Sequence, residues 1–160
     1  MHPNATAVSE ALAAAGAAGA VRELADSART AAAAAEALDC PVGAIANSLI
    51  FMADDVPVLV LTSGAHRVDT AFLAIQIGAV KVKRATPEQV RAATGQPIGG
   101  VAPVGHPAPV RTLIDTALQD YPVIWAAGGT PHAVFPTTYD ELSRICAATP
   151  VTVTPVTVTP

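Results

Sequence analysis

Apolar residues come along this chain in short runs rather than long stripes. Residues 48–53 and 56–62 are almost continuously apolar, and the pair Asp54-Asp55 between them reads as a hairpin turn. Such unbroken apolarity predicts strands covered on both faces. Residues 79–84, 110–114, 123–127 and 132–135 read as further strands, with a short helical turn over 115–119. Helical segments carry clear start and stop signals. Thr30 caps a helix over 31–38 that Asp39 and Pro41 end. Asp69 caps 70–77, whose Phe72, Leu73, Ile75 and Ile77 are expected to pack inward before Gly78. Thr86-Pro87-Glu88-Gln89 supplies a cap, a proline at the first helical position and a glutamine at the third, with Gly95 as the stop. Thr138-Tyr139-Asp140-Glu141 is a second capping box, opening a helix to about Ala147. Strands and helices interleave, but hairpin-length links occur too. The class is therefore α/β (α+β) with a mixed sheet.

The termini read differently. Residues 5–18 are alanine-rich and helical in propensity, yet Gly16 and the scarcity of bulky side chains predict a weakly anchored, fraying segment. The duplication VTVTP-VTVTP over 151–160 favours extension while its prolines bar it from a sheet interior, which predicts a disordered or loosely docked tail. The expected organisation is an N-terminal helix or extension over 1–20, one domain over 21–148 and a low-complexity tail over 149–160. With 51% hydrophobic but only 4% aromatic residues, the core must be aliphatic.

Charge and cysteine usage narrow the function. A net charge of −4 argues against a general nucleic-acid coat protein and against a DNA partner. Lys81, Lys83, Arg84 and Arg111 remain as a local basic track. Cys40 and Cys146 lack C-x-x-C spacing and read as spectator thiols. No charged n-region opens the chain, and residues 11–20 are interrupted by Gly16 and Gly19, so no membrane segment is expected and the protein reads as cytoplasmic.

The best candidate for a binding site is the Gly/Pro stretch over 96–109, with G-G-V-A-P at its centre. Glycine permits close backbone approach, while Pro97, Pro103, Pro107 and Pro109 stiffen the loop. A stiff loop with bare N–H groups suits a carbonyl or a phosphate. Ser63, His66 and Asp69 have the residue types of a nucleophilic triad, but no G-x-S-x-G turn accompanies them. Asp69 is more simply a helix cap and His66 a loop residue. A Walker loop, a dinucleotide fingerprint and H-E-x-x-H are all absent, so neither a cofactor nor a metal is predicted. His132, after Gly128-Gly129-Thr130-Pro131 and at a strand start, could face a cleft and polarise a carbonyl or an amine; His106 is similarly placed in the Gly/Pro loop.

Taken in order, T-A-A-A-A-A-E-A-L from Thr30, I-A-N-S-L-I-F from Ile45, R-V-D-T from Arg67, G-x-x-x-P from Gly99 to Pro103, and H-A-V-F from His132 resemble the YbaK/EbsC family. That family is homologous to the editing insertion domain of bacterial prolyl-tRNA synthetase. The resemblance spans residues 21–147. It implies a curved mixed sheet of about seven strands surrounded by helices, with a cleft for the aminoacylated 3′ end of tRNA. It also implies a trans-acting deacylase that hydrolyses the ester of a mischarged small amino acid, with tRNA for proline as the candidate and a synthetase as a further partner.

The family's loop falls on Gly99 and Pro103, and its strand histidine on His132. Its characteristic lysine falls on Asn47, where a neutral donor and acceptor replaces a fixed charge. An aminoacyl ester is already activated, so hydrolysis needs only an oriented water and fixed donors for the developing oxyanion. The expected catalytic set is Asn47 with the backbones of Gly99, Gly100 and Val101; His132, Asp69, Pro103 and His66 are the expected substrate contacts. The departure at Asn47 leaves a second reading open, a non-catalytic module that binds aminoacyl-tRNA or a small ligand. A third, an esterase built on Ser63 and His66, makes Ser63 the nucleophile.

Overall fold

The computed structural model describes residues 2–154. In chain order its elements are α1 (Pro3–Ala14), β1 (Arg22–Glu23), α2 (Ala31–Leu38), β2 (Ile45–Ala53), β3 (Val56–Ser63), α3 (Thr70–Ile77), β4 (Val82–Arg84), α4 (Pro87–Thr94), β5 (Arg111–Asp115), β6 (Ile124–Ala127), β7 (Ala133–Thr137), α5 (Tyr139–Cys146) and β8 (Thr149–Val151). Short 3-10 turns cover Val42–Ala44 and Thr116–Asp120. The eight strands form one mixed sheet in the order β1-β7-β6-β2-β3-β5-β8, with β4 pairing β2 off that path.

The four capped helix starts read from the sequence carry their caps, but the capping box expected at Thr138 is not closed, because the Glu141 carboxylate accepts from Thr137 Oγ1 and Ala18 N–H instead. Thr30, Asp69, Thr86 and Thr138 each accept a backbone N–H from three residues on, and Thr86 with Gln89 closes a reciprocal capping box. The hairpin turn between β2 and β3 is also as expected. Asp54 and Asp55 both adopt positive φ, 49° and 66°, which matches the right-handed twist of the flanking strands and suits short acidic side chains. Asp54 does more than turn the chain. Its carboxylate accepts the N–H groups of Val80 and Lys81, which lowers its pKa, while Asp54 N–H donates to Lys81 O at 2.9 Å.

Strand β2 holds the sheet together. On one side it pairs with β3 in eight antiparallel registers, from Ala46 opposite Ser63 to Ala53 opposite Val56. On the other side it has two separate partners. Strand β6 lies parallel at Ile45 and Ala46, and β4 lies antiparallel at Phe51 to Ala53. Both faces are buried, as the apolar runs predict. One core joins Ile50, Leu59, Leu61, Ile114 and Phe135 to Val8, Leu12, Val90 and Leu142 of the helices. The other joins Phe51, Val58, Val60 and Leu113 to Leu73 of α3.

Several expectations are corrected. The N-terminal helix is not weakly anchored: Ala5, Val8 and Leu12 are buried in the first core, and the helix ends at Ala14 rather than Ala18. In α3 only Leu73 and Ala74 are buried, while Ile75 is 80% exposed, because an eight-residue helix offers the sheet only one stripe. The strand expected over 79–84 shortens to Val82–Arg84, since the Val80 and Lys81 amides serve Asp54 instead. The chain also turns at His132, so β7 begins one residue later, at Ala133.

The tail is the largest correction. Thr149–Val151 forms β8, parallel to β5, and beyond it Val153 is 0% exposed within the second core. Asp69 N–H donates to Val153 O at 2.7 Å, and the Gln76 side chain brackets Thr152, accepting its N–H at 3.0 Å and donating to its carbonyl. The rest of the duplication, 155–160, lies outside the described residues. Burying a valine side chain stabilises by about 1.5–3 kcal/mol. Val153→Ala should therefore lower the unfolding free energy by about 2 kcal/mol in urea titration, a loss of about 4–8 °C in melting temperature for a domain of this size; an unchanged transition midpoint would contradict the docking of this segment.

Candidate active site

The two partners on the far edge of β2 do not meet. Strand β6 ends its pairing at Ala46 and β4 begins at Phe51, and between them, among the described residues, the one cross-link is Ala85 N–H to Ile50 O at 3.1 Å. Ile45 O accepts from Gly64 on the β3 side, and strand alternation then turns the peptide groups of Ser48 toward this unpaired edge. A cavity of about 620 Å³ occupies the gap. Its walls come from both faces of the sheet: Ala31, Ala34 and Trp125 from a third, smaller apolar cluster around Ile45, and Val90, Val101 and Ala126 from the first core. The floor is β2 from Ile45 to Phe51, including Asn47.

Four of the residues read from the sequence meet here. Asn47, Gly99, Val101 and His66 all line the cavity. Gly99 has φ +87°, and an added Cβ would lie 3.2 Å from that of Arg29, so the loop needs glycine at this point. The amides of Gly99 and Val101 have no acceptor among the described residues. Gly100 differs. Its N–H donates to Pro97 O at 3.0 Å, and a Cβ there would meet the Thr130 and Pro131 backbone at 2.7–2.9 Å. It is therefore a packing glycine that seats the Gly/Pro loop against the 128–131 turn, and its amide is spent.

The other expected contacts stand off the walls. His132 is exposed in the turn before β7. Asp69 is exposed and occupied as the α3 cap, with its carboxylate 2.9 Å from Phe72 N. Pro103 is buried and accepts a long contact from Cys146 Sγ. Ser63 cannot act as the nucleophile of the esterase reading, since its hydroxyl is buried and donates to Gly43 O at 2.8 Å. The 66/69 pairing is likewise replaced: His66 Nδ1 lies 2.9 Å from Asp115, not Asp69.

Sequence reading missed three things. Ser48 lines the cavity, and its hydroxyl is buried with no hydrogen-bond partner among the described residues. An unpartnered buried hydroxyl beside a hollow is a position for a ligand atom or a water. Arg29 and Arg67 join Arg84 of the expected basic track on walls without Asp or Glu, so the local potential there is positive in an acidic protein. Asp115 ends an apolar run and is 1% exposed; an acidic residue closing a buried strand was the available signal. Lys81 and Lys83 border a separate small hollow with Asp54 and Asp55. Both cysteines are free, and burial pushes the Cys146 thiol up to about 12, which keeps it an inert thiol. Among the described residues no three His, Cys, Asp or Glu side chains converge as they would on a metal ion, and no helix is long and apolar enough to cross a membrane.

His106 braces the loop. Its Nε2 lies 2.7 Å from Ala102 O, and burial holds its pKa below the ordinary imidazole value, only partly offset by that carbonyl. A histidine depressed in the folded state contributes stability that is complete above its unfolded pKa and fades as pH falls toward the folded one. Unfolding free energy should accordingly drop between about pH 8 and about pH 5, and His106→Gln should shrink that drop; an identical slope in both proteins would remove His106 from the account.

Residues 25–145 match the family described as the aminoacyl-tRNA editing domain. Among curated proteins the chain is similar to the proline–tRNA ligase of Nitratidesulfovibrio vulgaris strain Hildenborough, 38% identical over 82 residues, which is 51% of this chain and 14% of the ligase. The chain thus spans a small part of those much longer relatives. Among solved structures it is similar to a candidate trans-editing enzyme for prolyl tRNA synthetase, with a TM-score of 0.90 and 40% identity over 98% of this chain and 99% of the other. A second, a hypothetical protein, has a TM-score of 0.85 and 26% identity over 92% and 98% of the two chains.

Proposed function

Because the chain belongs to the aminoacyl-tRNA editing domain family, we propose that it is a trans-acting hydrolase that cleaves the ester joining a wrongly attached small amino acid to the 3′ end of a tRNA. The observation that carries the reading is the cavity at the unpaired edge of β2. It joins an arginine-bearing wall to a floor of unpartnered hydrogen-bonding groups. A tRNA terminus is polyanionic at its phosphates and carries an uncharged ester at its tip, and this hollow offers one environment for each. The relatives named proline–tRNA ligase and the matching trans-editing structure make tRNA for proline the candidate acceptor.

The chemistry asks little of the protein. Water attacks the ester carbonyl, and negative charge grows on its oxygen. The amides of Gly99 and Val101, which have no acceptor among the described residues, are the fixed donors for that charge. Asn47 donates through its amide to the ester or the terminal ribose, and the Ser48 hydroxyl offers a second polar contact at the floor. Alanines, among them Ala31, Ala34, Ala46, Ala126 and Ala133, alternate on the walls with larger apolar side chains such as Ile50, Val90, Val101 and Trp125. Selection follows from shape: attraction separates neighbouring amino acids by only one methylene's worth of energy, whereas a packed wall rejects a larger side chain by collision.

Asn47 also motivates the rival reading, a module that binds charged tRNA without turnover, since a neutral amide stands where the resemblance places lysine. Single-turnover incubation with a panel of mischarged tRNAs separates the two. Ester loss from a small-amino-acid substrate is expected, and Asn47→Ala should slow it about 100-fold with folding unchanged. Saturable binding with no ester loss from any substrate would assign the chain to the binding class.

A further inference from the structure

One pair of side chains at the cavity wall is more elaborately held than packing requires. Asp115, at the end of β5, is buried, yet its carboxylate is fully engaged. Oδ1 accepts the Ala117 N–H at 3.0 Å, and Oδ2 accepts the Ser63 N–H at 3.0 Å and the Thr62 hydroxyl at 3.4 Å. The same Oδ2 lies 2.9 Å from His66 Nδ1. A buried carboxylate offers only lone pairs, so Nδ1 must carry the hydrogen. That fixes the tautomer of the neutral ring and leaves Nε2 as an acceptor. Nε2 has no partner among the described residues, and the imidazole lines the cavity with 33% of its side chain exposed.

We infer that His66 is the general base of the hydrolysis and Asp115 its positioning residue, an inference that rests on the proposed reading of the cavity. Nε2 takes a proton from water as the water oxygen bonds to the ester carbonyl carbon. This gives a tetrahedral oxyanion and an imidazolium, and the Asp115 carboxylate stabilises the latter. Collapse re-forms the carbonyl and breaks the bond to the ribose oxygen, which takes the proton from Nε2. The ring returns to neutral, and the products are the free amino acid and a tRNA with its terminal hydroxyl restored. The other charged groups sharing the cavity are Arg29, Arg67 and Arg84. No carboxylate lines the walls themselves, and the substrate's own amino group titrates in both proteins, so the part of an acid limb that His66→Gln removes is the part that belongs to His66.

The test follows single-turnover cleavage of a susceptible mischarged tRNA from about pH 5 to about pH 8. The wild-type rate should fall on the acid side. His66→Gln should reduce it about 100-fold or more, flatten that limb and leave tRNA binding intact. Added imidazole should partly restore His66→Ala, a rescue that a purely structural histidine would not show. Asp115→Asn should lower the rate with a displaced limb. Should Asp115→Asn fail to fold, His66→Gln decides the matter, because the His66 ring sits in a half-exposed loop. Wild-type rates and an unmoved profile in His66→Gln would overturn the base assignment alone. Cleavage of no substrate by the wild-type protein would overturn the functional reading and this one with it.

Discussion

The divided edge of β2 is the constraint from which the site follows. A central strand normally satisfies its backbone on both sides. Here β3 covers one side along eight registers, while β6 and β4 leave the stretch around Ser48 without a strand. Whatever fills that gap meets oriented peptide groups rather than side chains alone. Register makes the arrangement specific, because a shift by one residue would exchange the faces of Asn47 and Ser48. The Asp54-Asp55 turn sets that register with two positive φ angles, and Asp54 then pins the amides that lead into β4. A single tight turn thus fixes both the floor of the cavity and one of its walls.

Keeping a hollow open in an aromatic-poor domain needs mass elsewhere. The chain finds it in aliphatic strands whose alternate residues feed two cores, Leu59 and Leu61 into one, Val58 and Val60 into the other. Both termini add cover: Val8 and Leu12 close the first core, Val151 and Val153 the second. Alanine then has a defined place. Where α2 faces the cavity, methyl groups leave room that leucines would fill, and the same small side chains set the upper limit on what enters.

Local chemistry was legible in the sequence, and distant pairing was not. Thr30, Asp69, Thr86 and Thr138 announce helices because a cap acts over three residues, and Asp54-Asp55 announces a hairpin because a turn acts over four. The mixed α/β class followed from the alternation of such signals, while of the eight expected site residues Asn47, Gly99, Val101 and His66 line one cavity and Gly100, Asp69, Pro103 and His132 do not. The short β1 and β8 carried no signal of their own, since strands of two or three residues are stable only through the partner that receives them. Valine and threonine in the tail looked like low complexity, but β5 offered an open edge and Asp69 an amide. Asp115 escaped for the same reason: it lies 49 residues from His66, and only the parallel pairing of β3 with β5 unites them.

The exchange of lysine for Asn47 reads differently once the surroundings are included. A lysine at the floor would bring a mobile positive charge close to the free amino group of an aminoacyl ester, which is itself cationic near neutral pH. With asparagine there, the fixed charges are three arginines on the walls, suited to phosphate, and the floor is left to neutral dipoles suited to an ester. Under the proposed function, charge is thereby separated by task, attraction for an anionic terminus and polarity for the ester. The overall acidity of the chain agrees with this division. A net charge of −4 discourages nonspecific nucleic-acid contacts, while a field confined to one hollow still draws in a phosphate at close range, within the screening length of the surrounding salt.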